Sequence, residues 1–235
     1  MPKVSDTISI SFFPVLRNLL EIEAWMTTEK NTPAQLQGNW PSIKRAFDAG
    51  LLATALLEDK TIGFFALKKK DRSVTIDVAE IHPDFRGKGI GRKLLNAVAA
   101  HLSTEKIYSL DLFCTPSSSE VIWKRLEFVA IPQSENNGLY LVITRCLKPA
   151  TKIMSDGETL EIWDPESRSG LPYITYNLQF ENDSRRLIAP IVLYAEYDWR
   201  AKWKVGGKVV KECKLKDLDP VMCDCLILER LPELP

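Results

Sequence analysis

The stretch Ile81-His82-Pro83-Asp84-Phe85-Arg86-Gly87-Lys88-Gly89-Ile90-Gly91-Arg92-Lys93-Leu94-Leu95 decides the fold. It joins two patterns of different period. Before it, residues 74 to 81 read as a strand. After it, Leu94, Val98 and Leu102 recur at helical spacing with Leu95 and Ala99 beside them, so a helix runs from about Gly89 to Leu102. Between the two, Gly87, Gly89 and Gly91 alternate and let the backbone turn tightly and approach a ligand closely. The amides of this loop and of the first helical turn point outward together. The helix dipole adds positive potential there, and Arg86, Lys88, Arg92 and Lys93 add charge. These residue types in this order make a cradle for a diphosphate.

The spacing excludes two other phosphate-binding loops. A dinucleotide fingerprint needs G-x-G-x-x-G with an acidic partner further on, whereas this loop is G-x-G-x-G. A Walker loop, G-x-x-x-x-G-K-[ST], is absent. Working outward, residues 7 to 12 alternate like a strand and 14 to 28 follow a helical pattern. A short helix follows Trp40-Pro41. Strands are expected at 51–57, 61–67, 74–81 and 108–113, then a helix at 120–126 with Ser119 as N-cap, and strands near 128–131 and 139–146. Asp59-Lys60, Lys68 to Asp71 and Glu135 to Gly138 read as turns, the triple lysine as a solvated hairpin tip. Strand 74–81, helix 89–102 and strand 108–113 form a β-α-β crossover, which calls for parallel pairing.

This segment and element order resemble the GNAT superfamily of acyl-CoA N-acyltransferases. The family pattern is Arg or Gln, two residues, Gly, one residue, Gly or Ala, after a strand ending in Val-x-Pro. Arg86, Gly89 and Gly91 match it, and Ile81-His82-Pro83 matches the lead-in. The resemblance covers residues 7 to 146. It implies an α/β fold with a mixed sheet and acetyl-CoA or another acyl-CoA as co-substrate. The amides of Gly87, Lys88, Gly89, Ile90 and Gly91, with Arg86 and Arg92, would hold the CoA pyrophosphate. The strand ending at Ile81 would splay from strand 108–113, and pantetheine would bond to exposed backbone near Ala79 and Ile81. An amide there would polarise the thioester carbonyl. Ser118 and Trp123 would lie against the cofactor.

Acylating an amine requires its lone pair, and a lysine-like amine has a pKa of about 10.4, so a base must take a proton directly or through water. Asp77 and Glu80 are the candidates. Their odd spacing points them to opposite faces of the strand, with Asp77 sharing a face with Ala79 and Ile81. Each also reads as a plain solvated or ion-paired strand carboxylate. His82 is a third candidate, in a slot that is usually a turn residue. In the resemblance, a tyrosine in a helix reading Phe-Tyr-Glu-Lys-Leu-Gly-Phe protonates the leaving thiolate. The matching stretch here is Ile122-Trp123-Lys124-Arg125-Leu126-Glu127-Phe128. Trp123 replaces the tyrosine, and indole is no proton donor at neutral pH. Glu127 replaces the glycine. Cys114 is an alternative donor or a buried strand thiol.

The bulk numbers set the outer limits. The chain has 235 residues, with 31 basic and 31 acidic side chains. A neutral chain has no overall field to attract nucleic acid or anionic membrane. No run approaches the roughly 20 apolar residues of a membrane span, and the first residues do not read as a signal peptide, so the expected location is the cytoplasm. Five cysteines are expected as reduced thiols. The Cys223-x-Cys225 pair lacks nearby partners for zinc, so no metal is expected. After Lys148-Pro149-Ala150 the pattern changes, which divides the chain into domains at 1–148 and 149–235. The second is smaller and mostly β, with strands at 173–180, 187–197, 203–205 and 209–214 and a Gly206-Gly207 hairpin. Its aromatics, Tyr173, Tyr176, Tyr194, Tyr197, Trp199 and Trp203, read as a small β core or a binding surface. Such a domain selects the acceptor, covers the active site, or pairs two subunits as a homodimer. The leading reading is an N-acetyltransferase acting on an amine, a small molecule in preference to a protein. The rivals are an acyl-CoA-binding sensor without turnover and an interaction module.

Overall fold

The computed structural model describes residues 7–28, 38–132, 137–182, 184–222 and 224–233. Two compact units emerge: residues 1–130 with 135–143, and residues 131–134 with 144–235.

The first unit is built on a seven-stranded sheet in the order β1-β2-β3-β4-β5-β7-β6. Its strands are β1 (Ser9–Ser11), β2 (Leu52–Leu57), β3 (Lys60–Lys69), β4 (Ser73–Ile81), β5 (Ser109–Phe113), β6 (Val129–Ala130) and β7 (Gly138–Val142). All neighbours are antiparallel except β4 and β5, which run parallel across the crossover. Glu58 and Asp59, both at positive φ, make the β2–β3 turn, one residue earlier than the sequence suggests. Asp59 tolerates that conformation, and its carbonyl accepts the Arg17 guanidinium at 2.8 Å. The lysine run is solvated at Lys68 and Lys69, which are exposed, but not at Lys70. β3 continues through Lys69, and Lys70 reaches the buried carboxylate of Asp111 at 3.3 Å. The Glu135–Gly138 turn lies partly outside the described residues.

Helices cover the two faces of this sheet. On one face, α1 (Leu16–Thr28) and α2 (Trp40–Asp48) bury Leu19, Ile22, Trp25, Met26, Ile43 and Ala46 against Leu52, Phe64, Ala66 and Val78. Asn18 anchors the start of α1: its carbonyl accepts the Val15 amide at 3.0 Å, and its amide donates to Thr61. On the other face lies α3 (Ile90–Ser103), the helix the apolar stripe predicts. Leu94, Leu95, Val98 and Leu102 pack on Phe65, Leu67, Val74, Ile76, Leu110 and Leu112. Burying each such side chain contributes about 1.5–3 kcal/mol. The short α4 (Glu120–Arg125) follows β5.

The second unit is a four-stranded antiparallel sheet and a two-stranded ribbon. The sheet runs β12-β11-β8-β9, from β8 (Glu158–Trp163), β9 (Ile174–Asn177), β11 (Arg200–Val205) and β12 (Lys208–Lys214). The ribbon pairs β10 (Arg186–Tyr194) with β13 (Cys225–Arg230). Gly206 and Gly207, both at positive φ, close the β11–β12 hairpin as the sequence suggests. β8, β13 and the single-turn helix α5 (Leu215–Leu218) have no counterpart in the sequence reading. Most of the aromatics are core: Tyr176, Tyr194, Trp199 and Trp203 are buried, whereas Tyr173 and Tyr197 are exposed. Arg185 forks onto Glu158 at 2.9 and 2.8 Å and lies between the rings of Phe180 and Trp203. Hydrogen bonding from Arg185 holds the Glu158 carboxyl below its ordinary pKa. Cys223 lies outside the described residues. Among the described residues no cluster of His, Cys, Asp and Glu side chains converges on a metal-sized centre, and no helix is long and apolar enough to cross a membrane.

Glu127, just past α4, sits at φ +73°, a left-handed conformation. An L side chain there costs about 1–2 kcal/mol, and glycine returns about 0.5–1 of this through its freer unfolded chain. The exposed Glu127–Arg92 pair at 3.7 Å contributes little. Glu127→Gly is therefore expected to stabilise the first unit by about 0.5–1 kcal/mol in urea unfolding. A loss of stability would show that the carboxylate outweighs the strain.

Candidate functional site

The site begins where two strands part. β4 and β5 pair only at Ser73↔Ser109, Val74↔Leu110 and Thr75↔Asp111, yet β4 runs on to Ile81. A bulge accompanies the parting. Val78 lies opposite Ala66 and Ile76 opposite Leu67, so Asp77 is an extra residue in β4. Bulges bend a strand and raise its twist, which turns the end of β4 away from β5. The bulge also resets the alternation. Val74, Ile76 and Ala79 pack on the α3 side, while Val78 packs on the α1–α2 side. Asp77 is thus not in simple alternation with Ala79 and Ile81, contrary to the spacing argument. It is exposed, beside Val78.

The opened edge of β4 carries backbone groups. The His82 amide donates to the Ile62 carbonyl at 3.0 Å, and with the register Gly63↔Ile81 and Phe65↔Ala79 this turns the N–H and C=O of Ala79 and Ile81 away from β3. Side chains already engage Ile81. Its N–H donates to Glu80 Oε1 at 2.9 Å, and its carbonyl accepts Arg86 Nε at 3.0 Å. Arg86 Nη2 also meets Glu80 Oε1 at 3.1 Å.

The loop follows at once. Pro83–Phe85 forms a short 3₁₀ turn, with His82 Nδ1 accepting the Asp84 amide at 3.4 Å. The His82 ring stacks on Trp25 at 4.9 Å, a turn residue's role. Gly87 and Gly89 both take positive φ, and Gly89 starts α3 without a side-chain cap. The first amides of α3 are left for another partner. A Cβ at Gly87, Gly89 or Gly91 would meet nothing within 4 Å, so open space lies over the loop. Lys88 lies 5.0 Å from the centre of the Phe85 ring.

α4 contributes the remaining candidates. Trp123 packs edge-on against Phe128 at 5.3 Å and is tilted against Phe65 at 5.9 Å. Arg92 donates to the Arg125 carbonyl and lies near Glu127. Ser118 is exposed in the turn before α4. Ser119 stands at the N-cap position without capping; its hydroxyl bonds Cys114 instead. Cys114 is a buried core thiol, and burial pushes its pKa up. A recess of about 310 Å³ lined by Glu23, Met26, Thr27 and Trp40 opens beside α1.

Residues 16–122 match the acetyltransferase (GNAT) family. They form a GNAT domain. Three solved structures illustrate the likeness. The PaiA N-acetyltransferase from Thermoplasma acidophilum, in complex with coenzyme A, is 17% identical; the match covers 57% of this chain and 97% of that one, with a TM-score of 0.46. The GNAT family N-acetyltransferase YhbS from Escherichia coli, in complex with CoA, is 14% identical over 61% of this chain and 84% of that one, TM-score 0.48. A GNAT acetyltransferase from Staphylococcus aureus Mu50 is 16% identical over 59% and 100%, TM-score 0.46. A search of curated proteins returned no match.

Within the GNAT domain the chain brings most of the expected residues to one end of the sheet. Asp77, Ala79, Glu80 and Ile81 end β4, residues 86–91 continue directly from them, and Arg92 begins the second residue pair of α3. Trp123 joins through its packing on Phe65 of β3. The structure separates the two carboxylates by state rather than by face: Glu80 is ion-paired with Arg86, and Asp77 is not paired among the described residues. Sequence reasoning missed the Lys70–Asp111–Thr75 cluster, in which the Thr75 hydroxyl donates to Asp111 at 2.7 Å. Gly91 offers the cleanest perturbation, because its φ is ordinary while Gly89 is at +76°. Gly91→Glu is expected to leave the unfolding midpoint in place and to abolish calorimetric binding of acetyl-CoA. Unchanged binding would remove the loop from the site.

Proposed function

We propose that the first unit transfers an acetyl group from acetyl-CoA to a primary amine by direct attack. The observation that carries this is the parting of β4 and β5 after Thr75↔Asp111. It leaves the Ala79 amide facing a gap that runs into the uncapped loop at Gly87–Gly91. A pyrophosphate suits the loop amides, and the pantetheine arm suits the gap. Ile81 and Arg86 join the cofactor once Glu80 gives way. The bound thioester would then place its carbonyl against the Ala79 N–H. As the amine nitrogen bonds the carbonyl carbon, negative charge builds on the oxygen and that N–H stabilises it. Asp77 takes the amine's proton directly or through water. The carbon–sulfur bond then breaks, and the CoA thiolate leaves with the electron pair and is protonated by water. Trp123 supplies no proton; it packs on Phe65 and Phe128 at the acyl end.

One observation favours acyl-CoA binding without turnover: the position of the proton donor is held by an indole wedged between two phenylalanines. Turnover distinguishes the readings. With acetyl-CoA and a panel of primary amines, thiol release is expected in the wild type. Asp77→Asn should lower kcat by about a hundredfold or more, with KM for acetyl-CoA little changed. Acetyl-CoA binding with no thiol release above the uncatalysed rate would support the sensor, and full activity in Asp77→Asn would remove Asp77 as the base.

A further inference from the structure

β4 and β5 present three carboxylates beside the gap, and two of them are spoken for. Asp111 is 1% exposed and held by the Thr75 hydroxyl and the Lys70 ammonium. Glu80 is held by Arg86 and by the Ile81 amide. Asp77 is exposed, and no ion pair or hydrogen bond engages it among the described residues.

The faces around the gap differ in what they offer. The loop and the start of α3 occupy one face, where the cofactor's phosphates would arrive. The other face is the one left for an acceptor amine. On that other face α1 and α2 cover β2 to β4, through Leu52, Phe64, Ala66 and Val78. Beyond β4 the strands turn a different set outward. Leu110, Leu112 and Leu139 point to the α3 side, so alternation puts Asp111, Phe113 and Tyr140 on the acceptor side, with Val129 in the Tyr140 row. Phe113 is 54% exposed and Val129 50% exposed. Asp77 and Phe113 each stand two residues beyond the last β4–β5 rung, on opposite banks of the opening. The register thus puts an exposed carboxylate and an exposed benzyl ring at matching positions on the two strands that part.

We infer that the acceptor is a small primary amine carrying an apolar body, aryl or branched alkyl, with its nitrogen at Asp77 and its body on Phe113. This rests on the transferase reading above. Charge complementarity selects the amine: of the carboxylates on β4 and β5, Asp77 is the one that no partner among the described residues engages in the free protein. The ring selects the body: covering an exposed phenylalanine with an apolar surface is favourable, and covering it with a hydrated one is not. A polyamine would leave its further ammonium groups over the Phe113 ring, where lost hydration is costly.

The test uses the full chain with acetyl-CoA and four amines: phenethylamine, isoamylamine, ethanolamine and spermidine. Thiol release gives kcat/KM for each. The two apolar amines are expected to exceed the polar pair about tenfold or more. Phe113→Ser, at an exposed position, should erase that preference by raising KM for the apolar amines, with acetyl-CoA affinity by calorimetry as the control for the cofactor site. Equal use of ethanolamine or spermidine, or a preference that survives Phe113→Ser, overturns the acceptor assignment and leaves the transferase reading standing. Acetyl-CoA binding with no transfer to any amine, a lysine peptide included, overturns both.

Discussion

The first unit depends on a single extra residue. Asp77 bulges β4 between Ile76 and Val78 and ends its pairing with β5 at Thr75. A continuous parallel ladder would satisfy every edge amide of β4 and leave no gap. Unpaired backbone at a buried strand edge is costly unless something accepts it. In this structure the cost is partly met from within: Glu80 takes the Ile81 amide, and Arg86 takes the Ile81 carbonyl. The amides at the start of α3 are left open in the same way by a cap position with no side chain, Gly89. The open Ala79 amide on the strand and the open amides on the adjacent helix end are what an elongated ligand with a diphosphate at one end and an acyl group at the other requires.

The loop was legible because its chemistry is local. The glycine alternation between a strand pattern and a helical stripe specifies the turn and the exposed amides without reference to the rest of the chain. The bulge is a tertiary feature, but it leaves a trace. In Val74-Thr-Ile76-Asp-Val78-Ala79-Glu-Ile81 the apolar residues alternate, then two fall side by side at Val78 and Ala79. That adjacency is where the strand changes parity, and reading it as plain alternation misassigns the face of Asp77. Lys70 escaped for a different reason. Its partner Asp111 is 41 residues away, and a lysine run near a turn carries no sign of a buried carboxylate. Ser119 was misread as a cap because its alternative partner, Cys114, lies outside the helix.

The second unit was read less completely. β13 opens with Cys-Leu-Ile-Leu, an unbroken apolar run that periodicity alone does not assign to strand or helix, and its partner β10 is distant in sequence. The aromatics proved to be mainly core, because Trp199 and Trp203 fill the space between sheet and ribbon. At α4 two departures from the GNAT pattern have separate consequences. Trp123 exchanges a hydroxyl for packing on Phe65 and Phe128, and Glu127 places an L side chain where a left-handed turn favours glycine. The first bears on proton transfer and the second on stability.

The central claim is that the opened edge of β4 and the α3 loop act as one acyl-CoA site. Backbone amide NMR of the full chain, titrated with acetyl-CoA, tests it residue by residue. The account predicts that the amides of Ala79, Ile81 and residues 87–91 shift together and saturate at one ligand per chain, with the Glu80–Arg86 contact giving way as they do. Saturable shifts confined to other residues, or none up to about millimolar acetyl-CoA, the weak end of ordinary substrate affinities, would contradict it.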